Sequence, residues 1–285
     1  MKKILITGAN SYIGVSFENF IKEKFPNEYI VDTLDMLDDA WREKNFSGYN
    51  SVLHVAGIAH QKETKENAHL YYKVNKELAV EVAKKAKADG VLQFVFLSSM
   101  SVYGMDTGVI TKATKPNPKS HYGKSKWQAE QEIALLSEGD FKVCVIRPPM
   151  VYGKDCKGNF QTVLKLVEKS PIFPKVKNSR SMIYISNLSS FIELCIGNEL
   201  EGVYFPQNKE YVSTVSMAKG IAKAINKKVF FDYVTGCAVV LMRLAMPIAK
   251  KAFGTLVYKD MEDFDFSYVI VENDESFLLS TCERE

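Results

Sequence analysis

The chain has 285 residues of ordinary globular composition, and its 37 basic side chains barely exceed its 34 acidic ones. The length suits one large α/β domain, alone or with a small appended one, and the charge balance argues against nucleic acid as the main partner. The five cysteines are scattered, without Cys-x-x-Cys or zinc-ligand spacing, which predicts reduced thiols, a cytoplasmic location and no bound metal.

The first half of the chain alternates short apolar runs with amphipathic stretches. The apolar runs predict buried strands at residues 3–7, 29–34, 52–55, 93–97 and 142–146. Apolar residues at helical spacing predict helices over residues 12–24 and 69–88. This alternation predicts an α/β fold built on a Rossmann-like doubly wound parallel sheet.

The pattern loosens after Tyr152-Gly153, where prolines separate shorter elements. We therefore expect a Rossmann domain over residues 1–155 and a smaller C-terminal substrate-binding lobe over residues 156–285, partly interleaved with it. The apolar residues 233–246 are interrupted by Arg243 and fall short of the ~20 residues that a membrane-spanning helix needs. This stretch is interpreted as a buried helix, with attachment to a membrane surface as the alternative, so no membrane partner is expected.

A glycine-containing turn follows the first predicted strand, in the sequence Thr-Gly-Ala-Asn-Ser-Tyr-Ile-Gly (residues 7–14). Gly8 permits the backbone conformations of a sharp turn, and Gly14 permits close packing of the next helix on the strand. That helix offers N–H groups and the positive end of its dipole to a pyrophosphate. Because strand, turn and helix occur together, the pattern favours a dinucleotide site over an ordinary strand–helix connection.

Two acidic residues occupy the position at which a dinucleotide site holds ribose hydroxyls. Asp32 and Asp35 both lie roughly twenty residues past the glycine turn, and a carboxylate there repels a 2′-phosphate. The sequence therefore favours NAD over NADP. It leaves open which of the two acids binds the ribose, and whether either is only a solvated loop residue.

Tyr122 and Lys126 are four residues apart, so on a helix they share one face. A phenol is a poor base at neutral pH, but a neighbouring ammonium and an oxidised nicotinamide both lower its pKa. Ser99 closes the predicted strand at residues 93–97, at the sheet edge where its hydroxyl can meet a substrate alcohol. Ser98 is the alternative for that hydroxyl. Together these side chains predict proton transfer beside a nicotinamide.

These motifs occur with His-Val-Ala-Gly at residues 54–57, Asn75, Ser-Ser-Met-Ser-Val-Tyr-Gly at residues 98–104 and Arg-Pro-Pro at residues 147–149. Together they resemble the extended short-chain dehydrogenase/reductases, and within them the NAD-dependent epimerase/dehydratase group, over the chain up to about Asn187. The resemblance implies NAD as cofactor, a nucleotide-sugar substrate such as a UDP-hexose, and a homodimer.

The resemblance also implies roles for individual residues. Ser99 matches the serine that hydrogen-bonds the sugar hydroxyl, Tyr122 matches the base and Lys126 its partner. Cofactor contacts are implied for Gly8, Asn10, Ser11, Tyr12, Ile13, Gly14, Asp32, Asp35, Met36, Val55, Ala56, Gly57, Asn75, Tyr122, Lys126 and Pro148. Substrate contacts are implied for Ser99, Met150, Asn159, Phe160 and Arg180, whose guanidinium matches one that grips a diphosphate.

The chain departs from the family pattern at several positions. Ser11 replaces the middle glycine of the turn, and Met150 stands where many relatives have an asparagine. Residues 35–38 resemble an adenine-contacting stretch that normally follows a third strand, so one outer strand is expected to be missing. No clear counterpart exists for a second diphosphate-binding arginine late in the chain.

The resemblance favours epimerisation at C4 of a nucleotide-linked hexose, by oxidation at C4, rotation of the keto-sugar and re-reduction. A nucleotide-sugar keto-reductase would use the same three side chains. A 4,6-dehydratase is less favoured because Met100 and Ser101 replace the usual Asp-Glu pair. A non-catalytic dinucleotide sensor would not need the Tyr122 phenol. His60 is interpreted as a residue that lines the pocket.

Overall fold

The computed structural model describes residues 1–59, 61–237, 239, 250, 252–261 and 265–281. His60 and most of residues 233–246, for which the sequence predicts a pocket-lining residue and a buried helix, lie outside the described residues. In the part of the chain that is described, no helix is long and apolar enough to cross a membrane.

The chain divides into two compact units, each assembled from three segments. Unit 1 consists of Met1–Gly104, Lys115–Pro148 and Leu188–Pro206, and unit 2 of Met105–Thr114, Pro149–Asn187 and Gln207–Glu285. The sequence-based boundary near residue 155 falls close to Pro148, where the second segment of unit 1 ends. Residues 188–206, which the sequence analysis assigned to the C-terminal lobe, belong to unit 1.

The regular elements are as follows. The strands are β1 (Lys2–Thr7), β2 (Tyr29–Leu34), β3 (Ser51–His54), β4 (Gln93–Leu97), β5 (Gly108–Ile110), β6 (Lys142–Ile146), β7 (Met150–Tyr152), β8 (Ile172–Pro174), β9 (Met182–Tyr184), β10 (Gly202–Tyr204), β11 (Phe230–Asp232) and β12 (Leu256–Tyr258). The helices are α1 (Tyr12–Lys24), α2 (Ala68–Tyr72), α3 (Ala79–Ala88), α4 (His121–Ala134), α5 (Asn159–Lys169), α6 (Ile185–Gly197), α7 (Thr214–Ala224) and a last helix at Asn273–Thr281. A π-helical segment, Lys73–Leu78, joins α2 to α3, and 3₁₀ turns lie at Asp39–Arg42, Met100–Tyr103 and Phe266–Tyr268.

Unit 1 is built on a six-stranded sheet in the order β10-β6-β4-β3-β1-β2. All neighbouring strands are parallel. β3 and β4 are buried along their whole length, which explains the apolar residues at their centres, and their polar end residues Ser51 and Gln93 hydrogen-bond each other. The chain reverses its winding direction between β1 and β3, which is where open α/β sheets bind ligands. β2 is the outermost strand beyond β1, so the expected absence of a further outer strand is confirmed for the described residues.

The core of unit 1 depends on small residues in its helices. Ala79, Ala83 and Ala86 of α3 and Ala129 of α4 are fully buried against the sheet. Alanines at this spacing occupy one helix face and let it approach the strands closely. The close packing fixes α4, and with it the side chains that α4 directs toward the carboxyl ends of the strands.

Unit 2 contains three parallel strand pairs, β5 with β12, β7 with β9 and β8 with β11. Its centre is aromatic: the Tyr152 ring packs against Phe160, Tyr184 and Phe277, with ring centroids 5.5–5.7 Å apart. The buried Tyr152 hydroxyl accepts a 2.9 Å hydrogen bond from the Asn208 amide and contacts a serine hydroxyl at 2.6 Å. This polar partner is what a buried tyrosine requires.

Candidate active site

The turn after β1 passes close to the turn after β3. The Thr7 carbonyl accepts a hydrogen bond of 3.0 Å from the Ala56 N–H. Gly8 has φ +110°, and a Cβ on this residue would lie 2.6 Å from the Ala56 nitrogen. Only glycine fits both the conformation and the space. The two turns therefore form a backbone-lined cradle at the switch point of the sheet, which suits the pyrophosphate of a dinucleotide.

Ser11, which replaces the family's middle glycine, is the N-cap of α1. Its Oγ accepts a hydrogen bond of 3.2 Å from the Gly14 N–H. A Cβ on Gly14 would lie 2.7 Å from that Oγ, so the Ser11 cap leaves no room for a larger residue than glycine at position 14. Asn10 has φ +63°, a left-handed conformation that asparagine tolerates. The start of α1 is thus a capped helix N-terminus, a feature that suits a bound anion.

Replacing Gly8 by alanine is expected to weaken NAD binding at least about tenfold, because the new Cβ would displace the Ala56 backbone from the cradle. The matched control is Gly48→Ala, because Gly48 has φ +85° and no atom within 4 Å of a new Cβ. Gly48→Ala should lose about 1–2 kcal/mol of stability from the unfavourable φ, and Gly8→Ala should lose more because of the added steric clash. Calorimetric titration with NAD, after removal of bound nucleotide, separates the two variants, and equal NAD affinities would refute the cradle.

Asn75 holds the loop that follows Gly57. Its Oδ1 accepts a 2.7 Å hydrogen bond from the Ile58 N–H, and its Nδ2 donates to the Ile58 carbonyl and to the Ser125 hydroxyl. Asn75 lies within the π-helical segment Lys73–Leu78, a distortion that is frequent at functional sites. A Cβ on Gly57 would lie 2.9 Å from the Asn75 Oδ1, so glycine is required for this close approach.

The structure separates the two candidate ribose-binding acids. Asp32 lies within β2, and its carboxylate accepts a 2.7 Å hydrogen bond from the Tyr49 hydroxyl. Burial, reinforced by Asp32, raises the pKa of Tyr49 to about 12, so this donor stays protonated. Asp35 directly follows β2, next to Leu34, whose carbonyl accepts a 2.9 Å hydrogen bond from the Gly8 N–H. Asp35 therefore lies beside the glycine turn, and Asp32 lies three residues away along the strand.

The other predicted cofactor residues also belong to unit 1. Tyr12 and Ile13 form the first turn of α1, and Val55 follows β3. Pro148 follows β6 and is buried, with its carbonyl accepting a hydrogen bond from the N–H at the start of the 3₁₀ turn after Ser99. Met36 is partly buried and packs against the hydrophobic core.

Tyr122 lies in the first turn of α4, and its partly buried phenol interacts with the Ser99 side chain. Ser99 ends the extended segment after β4, and its Oγ accepts a 3.1 Å hydrogen bond from the Ser101 N–H. Burial raises the pKa of Tyr122 above that of free tyrosine, and the interaction with Ser99 opposes this rise. The structure thus brings the predicted hydroxyl and the predicted base close enough to interact.

Lys126 lies one helical turn after Tyr122 and is only 4 % exposed. Its Nζ donates a 2.8 Å hydrogen bond to the Leu97 carbonyl and lies 4.6 Å from the centre of the Phe96 ring. Burial lowers the pKa of Lys126 to about 8, against the opposing effect of Glu130. The Nζ also lies 3.5 Å from where a Gly57 Cβ would be. The ammonium is therefore positioned between the helix of Tyr122 and the predicted cofactor loop.

Ser98 has a different partner from Ser99. Its hydroxyl donates to the Glu130 carboxylate, and both side chains are buried. Glu130 in turn accepts hydrogen bonds from Arg147. A hydroxyl that already donates its hydrogen bond to a buried carboxylate is poorly suited to bind a substrate alcohol. The geometry therefore favours Ser99 over Ser98.

Glu63 is a site residue that the sequence analysis missed. Its two carboxylate oxygens accept 2.9 Å hydrogen bonds from the backbone N–H groups of His121 and Tyr122. A carboxylate at a helix N-terminus satisfies orphan donors and complements the helix dipole. Glu63 thereby ties the loop after β3 to the start of α4. The pairing spans 58 and 59 residues of sequence, so no local pattern reveals it.

The four remaining substrate residues all belong to unit 2. Met150 begins β7, and Asn159 is exposed at the start of α5. The Phe160 ring is 1 % exposed and stacked on Tyr152, so its side chain belongs to the core and only its backbone can reach a ligand. Arg180 donates a 2.9 Å hydrogen bond to the Gly254 carbonyl, while its buried Nε lacks a hydrogen-bond partner. An unpaired guanidinium donor is suited to an anionic ligand.

Comparisons with known proteins agree with this geometry. The model of the NAD dependent epimerase/dehydratase family matches residues 4–202. A UDP-glucose 4-epimerase of Vibrio cholerae is 31 % identical over 253 residues, covering 79 % of this chain and 76 % of the relative. An N-acetyl-α-D-glucosaminyl-diphospho-ditrans,octacis-undecaprenol 4-epimerase of Escherichia coli O157:H7 is 26 % identical, covering 79 % of this chain and 73 % of the relative.

Two solved structures share the fold at low sequence identity. The UDP-glucuronic acid 4-epimerase of Bacillus cereus, in complex with NAD, has a TM-score of 0.74 at 17 % identity and covers 98 % of this chain and 97 % of its own. The dTDP-4-dehydrorhamnose reductase of Bacillus anthracis, in complex with NADP, has a TM-score of 0.71 at 22 % identity and covers 98 % of both chains. These likenesses confirm the Rossmann-like α/β fold.

Proposed function

The chain belongs to the NAD dependent epimerase/dehydratase family, and from this premise we propose that it is an NAD-dependent epimerase acting at C4 of a nucleotide-linked hexose. The observation that carries the proposal is the placement of Ser99 after β4 and of Tyr122 in the first turn of α4, with Lys126 one helical turn after Tyr122, at the carboxyl end of the sheet. The named activity of the Vibrio cholerae relative supports the choice of a UDP-hexose as substrate.

In this mechanism Tyr122 removes the proton of the C4 hydroxyl, and Ser99 holds that oxygen in place. Bound NAD supplies a hydride acceptor for the C4 hydrogen and a donor for its return to the opposite face of the keto-sugar. Burial raises the pKa of Tyr122, and the role that we assign to the Lys126 ammonium is to oppose this rise by stabilising the phenolate electrostatically. After rotation of the keto-sugar, Tyr122 returns the proton to the oxygen at C4. The same three side chains therefore serve both half-reactions.

The cradle formed by the glycine turn and Gly57 fits NAD without a side chain in the way. We assign ribose binding to Asp35, because it adjoins the glycine turn, whereas Asp32 lies three residues back along β2. Each carboxylate accepts one hydrogen bond, from the Leu37 N–H at Asp35 and from the Tyr49 hydroxyl at Asp32. A carboxylate at this point favours NAD over NADP, since it repels a 2′-phosphate. For the substrate diphosphate, we assign Arg180, whose Nε has no hydrogen-bond partner.

The alternative function is that of a nucleotide-sugar keto-reductase, because the reductase of Bacillus anthracis has a similar fold. A reductase must exchange its oxidised cofactor at every turnover, whereas an epimerase regenerates it in place. The purified protein should therefore carry tightly bound NAD if it is an epimerase. By family resemblance we also propose a homodimer and a cytoplasmic location, and light scattering of the purified protein tests the former.

The decisive experiment incubates the purified protein, without added cofactor, with UDP-glucose, UDP-N-acetylglucosamine and their galacto epimers. We expect interconversion of at least one pair, and acid-released nucleotide should be NAD. The diphospho-undecaprenol sugar named for the Escherichia coli relative is a second substrate class to assay. Turnover only of keto-sugars, and only with added NADH or NADPH, would overturn the epimerase proposal in favour of the reductase.

A further inference from the structure

Apolar side chains are exposed together at one edge of unit 2. β8 and β11 pair so that Ile172 lies opposite Phe230, and these residues are 44 % and 68 % exposed. Tyr233 and Val234 follow β11 directly and are 64 % and 77 % exposed. We call these four residues the β8–β11 patch. A cluster of this kind on a soluble surface marks an interaction site.

Lysines surround the aromatic part of the β8–β11 patch. The Lys175 Nζ lies 4.2 Å from the centre of the Tyr233 ring. Lys177 and Lys219 also act electrostatically on the Tyr233 phenol. The acid closest in sequence is Asp232, and its carboxylate accepts a 2.6 Å hydrogen bond from a backbone N–H. The apolar surface is therefore bordered by net positive charge.

A cleft of 450 Å³ opens beside the patch. Its lining combines the side chains of Lys175, Lys177 and Tyr233 with polar groups of Asn178, Ser179, Ser213 and Thr255 and with two valines. Ammonium and hydroxyl donors in one cleft suit a phosphate group. The arrangement places apolar rings, cations and phosphate donors side by side.

We propose that the β8–β11 patch docks this protein on the surface of an anionic phospholipid bilayer. Exposed aromatic and aliphatic side chains enter the boundary between headgroups and acyl chains, while neighbouring lysines contact the lipid phosphates. The proposal replaces the sequence-based expectation of no membrane partner with its alternative, attachment to a membrane surface, because the apolar residues 233–246 begin within the patch and are followed by Lys250 and Lys251. The inference rests on unit 2 alone and does not depend on the proposed epimerase reaction.

Co-sedimentation of the full chain with vesicles tests the proposal. The protein is expected to sediment with phosphatidylcholine vesicles that contain a quarter phosphatidylglycerol, and much less with phosphatidylcholine alone. Raised salt should weaken the binding, because screening reduces the attraction of lysines to anionic lipid. Failure of the unmodified protein to bind the anionic vesicles would overturn the proposal.

Two pairs of substitutions locate the binding surface. Phe230→Ser with Val234→Ser, and separately Lys175→Gln with Lys177→Gln, should each weaken binding to anionic vesicles about tenfold or more. The matched controls are Leu135→Ser, at a leucine of unit 1 that is 82 % exposed, and Lys24→Gln, at an exposed lysine. Both controls should bind as the unmodified protein does. Circular dichroism verifies that each variant is folded.

Other outcomes would contradict the bilayer proposal. Patch variants that bind vesicles like the unmodified protein would place the membrane contact elsewhere. If light scattering shows a dimer that only the patch variants lose, and no vesicles bind, the occupant is a second copy of this chain. The epimerase assay is scored separately, so its failure leaves the vesicle result intact.

Discussion

Replacing Tyr122 by phenylalanine is expected to lower the turnover number by about 10³-fold or more, with little change in fold or in substrate binding. The phenol is the group that we assign to remove and return the C4 proton, and it interacts with the Ser99 side chain. Phenylalanine fills the same space without an ionisable oxygen. Steady-state kinetics on the epimer pair identified above, together with the KM of each sugar, measures the effect.

The matched control for this variant is Tyr72→Phe. This substitution also removes a hydroxyl that contacts the start of α4, because the Tyr72 oxygen lies 3.2 Å from the His121 Nδ1. It lies in α2, apart from Ser99 and Lys126, so turnover should stay within about threefold of the unmodified value. Each variant should lose no more than about 1.5 kcal/mol of stability, the value of one hydrogen bond. Equal activities for the two variants would remove Tyr122 from the mechanism.

The sheet was largely predictable because its central strands β3, β4 and β6 are almost entirely buried and therefore rich in apolar residues. β2, β4 and β6 have the predicted bounds, and β1 and β3 differ from prediction by no more than one residue at either end. β10 was missed, although it pairs with β6 at the edge of the sheet. Its three residues are exposed or only partly buried, so they form no apolar run that could reveal a strand.

The helix predicted over residues 69–88 is present, but its π-helical segment Lys73–Leu78 was not foreseen. A π segment differs from an α-helix by one step in the hydrogen-bond ladder, and the apolar pattern on either side remains amphipathic. The distortion matters because Asn75 lies within it and binds the loop after Gly57. Asn75 was identified from the family resemblance, but its position in a π-helical segment was not predicted.

Within the candidate site, local spacing identified Tyr122 and Lys126 because four residues make one turn of α4. The groups that position them were not predictable, since their partners are distant in sequence. Glu63 reaches α4 from the loop after β3, and Glu130 reaches Arg147 from 17 residues away. These contacts depend on the packing of elements, which a single sequence does not encode as a local pattern.

The Glu130–Arg147 pair leads to the second large effect: Glu130→Ala is expected to destabilise the protein by about 3–5 kcal/mol. The Arg147 Nη2 donates a 2.5 Å hydrogen bond to the Glu130 carboxylate, and the two side chains are 8 % and 4 % exposed. Removing the carboxylate leaves a buried guanidinium without its counter-charge and the Ser98 hydroxyl without its acceptor. Urea denaturation measures the loss as a lower midpoint at an unchanged slope.

The control is Glu132→Ala, the same substitution two residues along the same helix. Glu132 is 45 % exposed and pairs with Lys76 at 2.9 Å, so its loss should cost no more than about 1 kcal/mol. Because Ser98 adjoins Ser99, Glu130→Ala should also lower turnover, whereas Glu132→Ala should not. Equal losses of stability for the two variants would show that the buried carboxylate does not hold the end of β4 in place. The site would then depend on the sheet alone for the placement of Ser99.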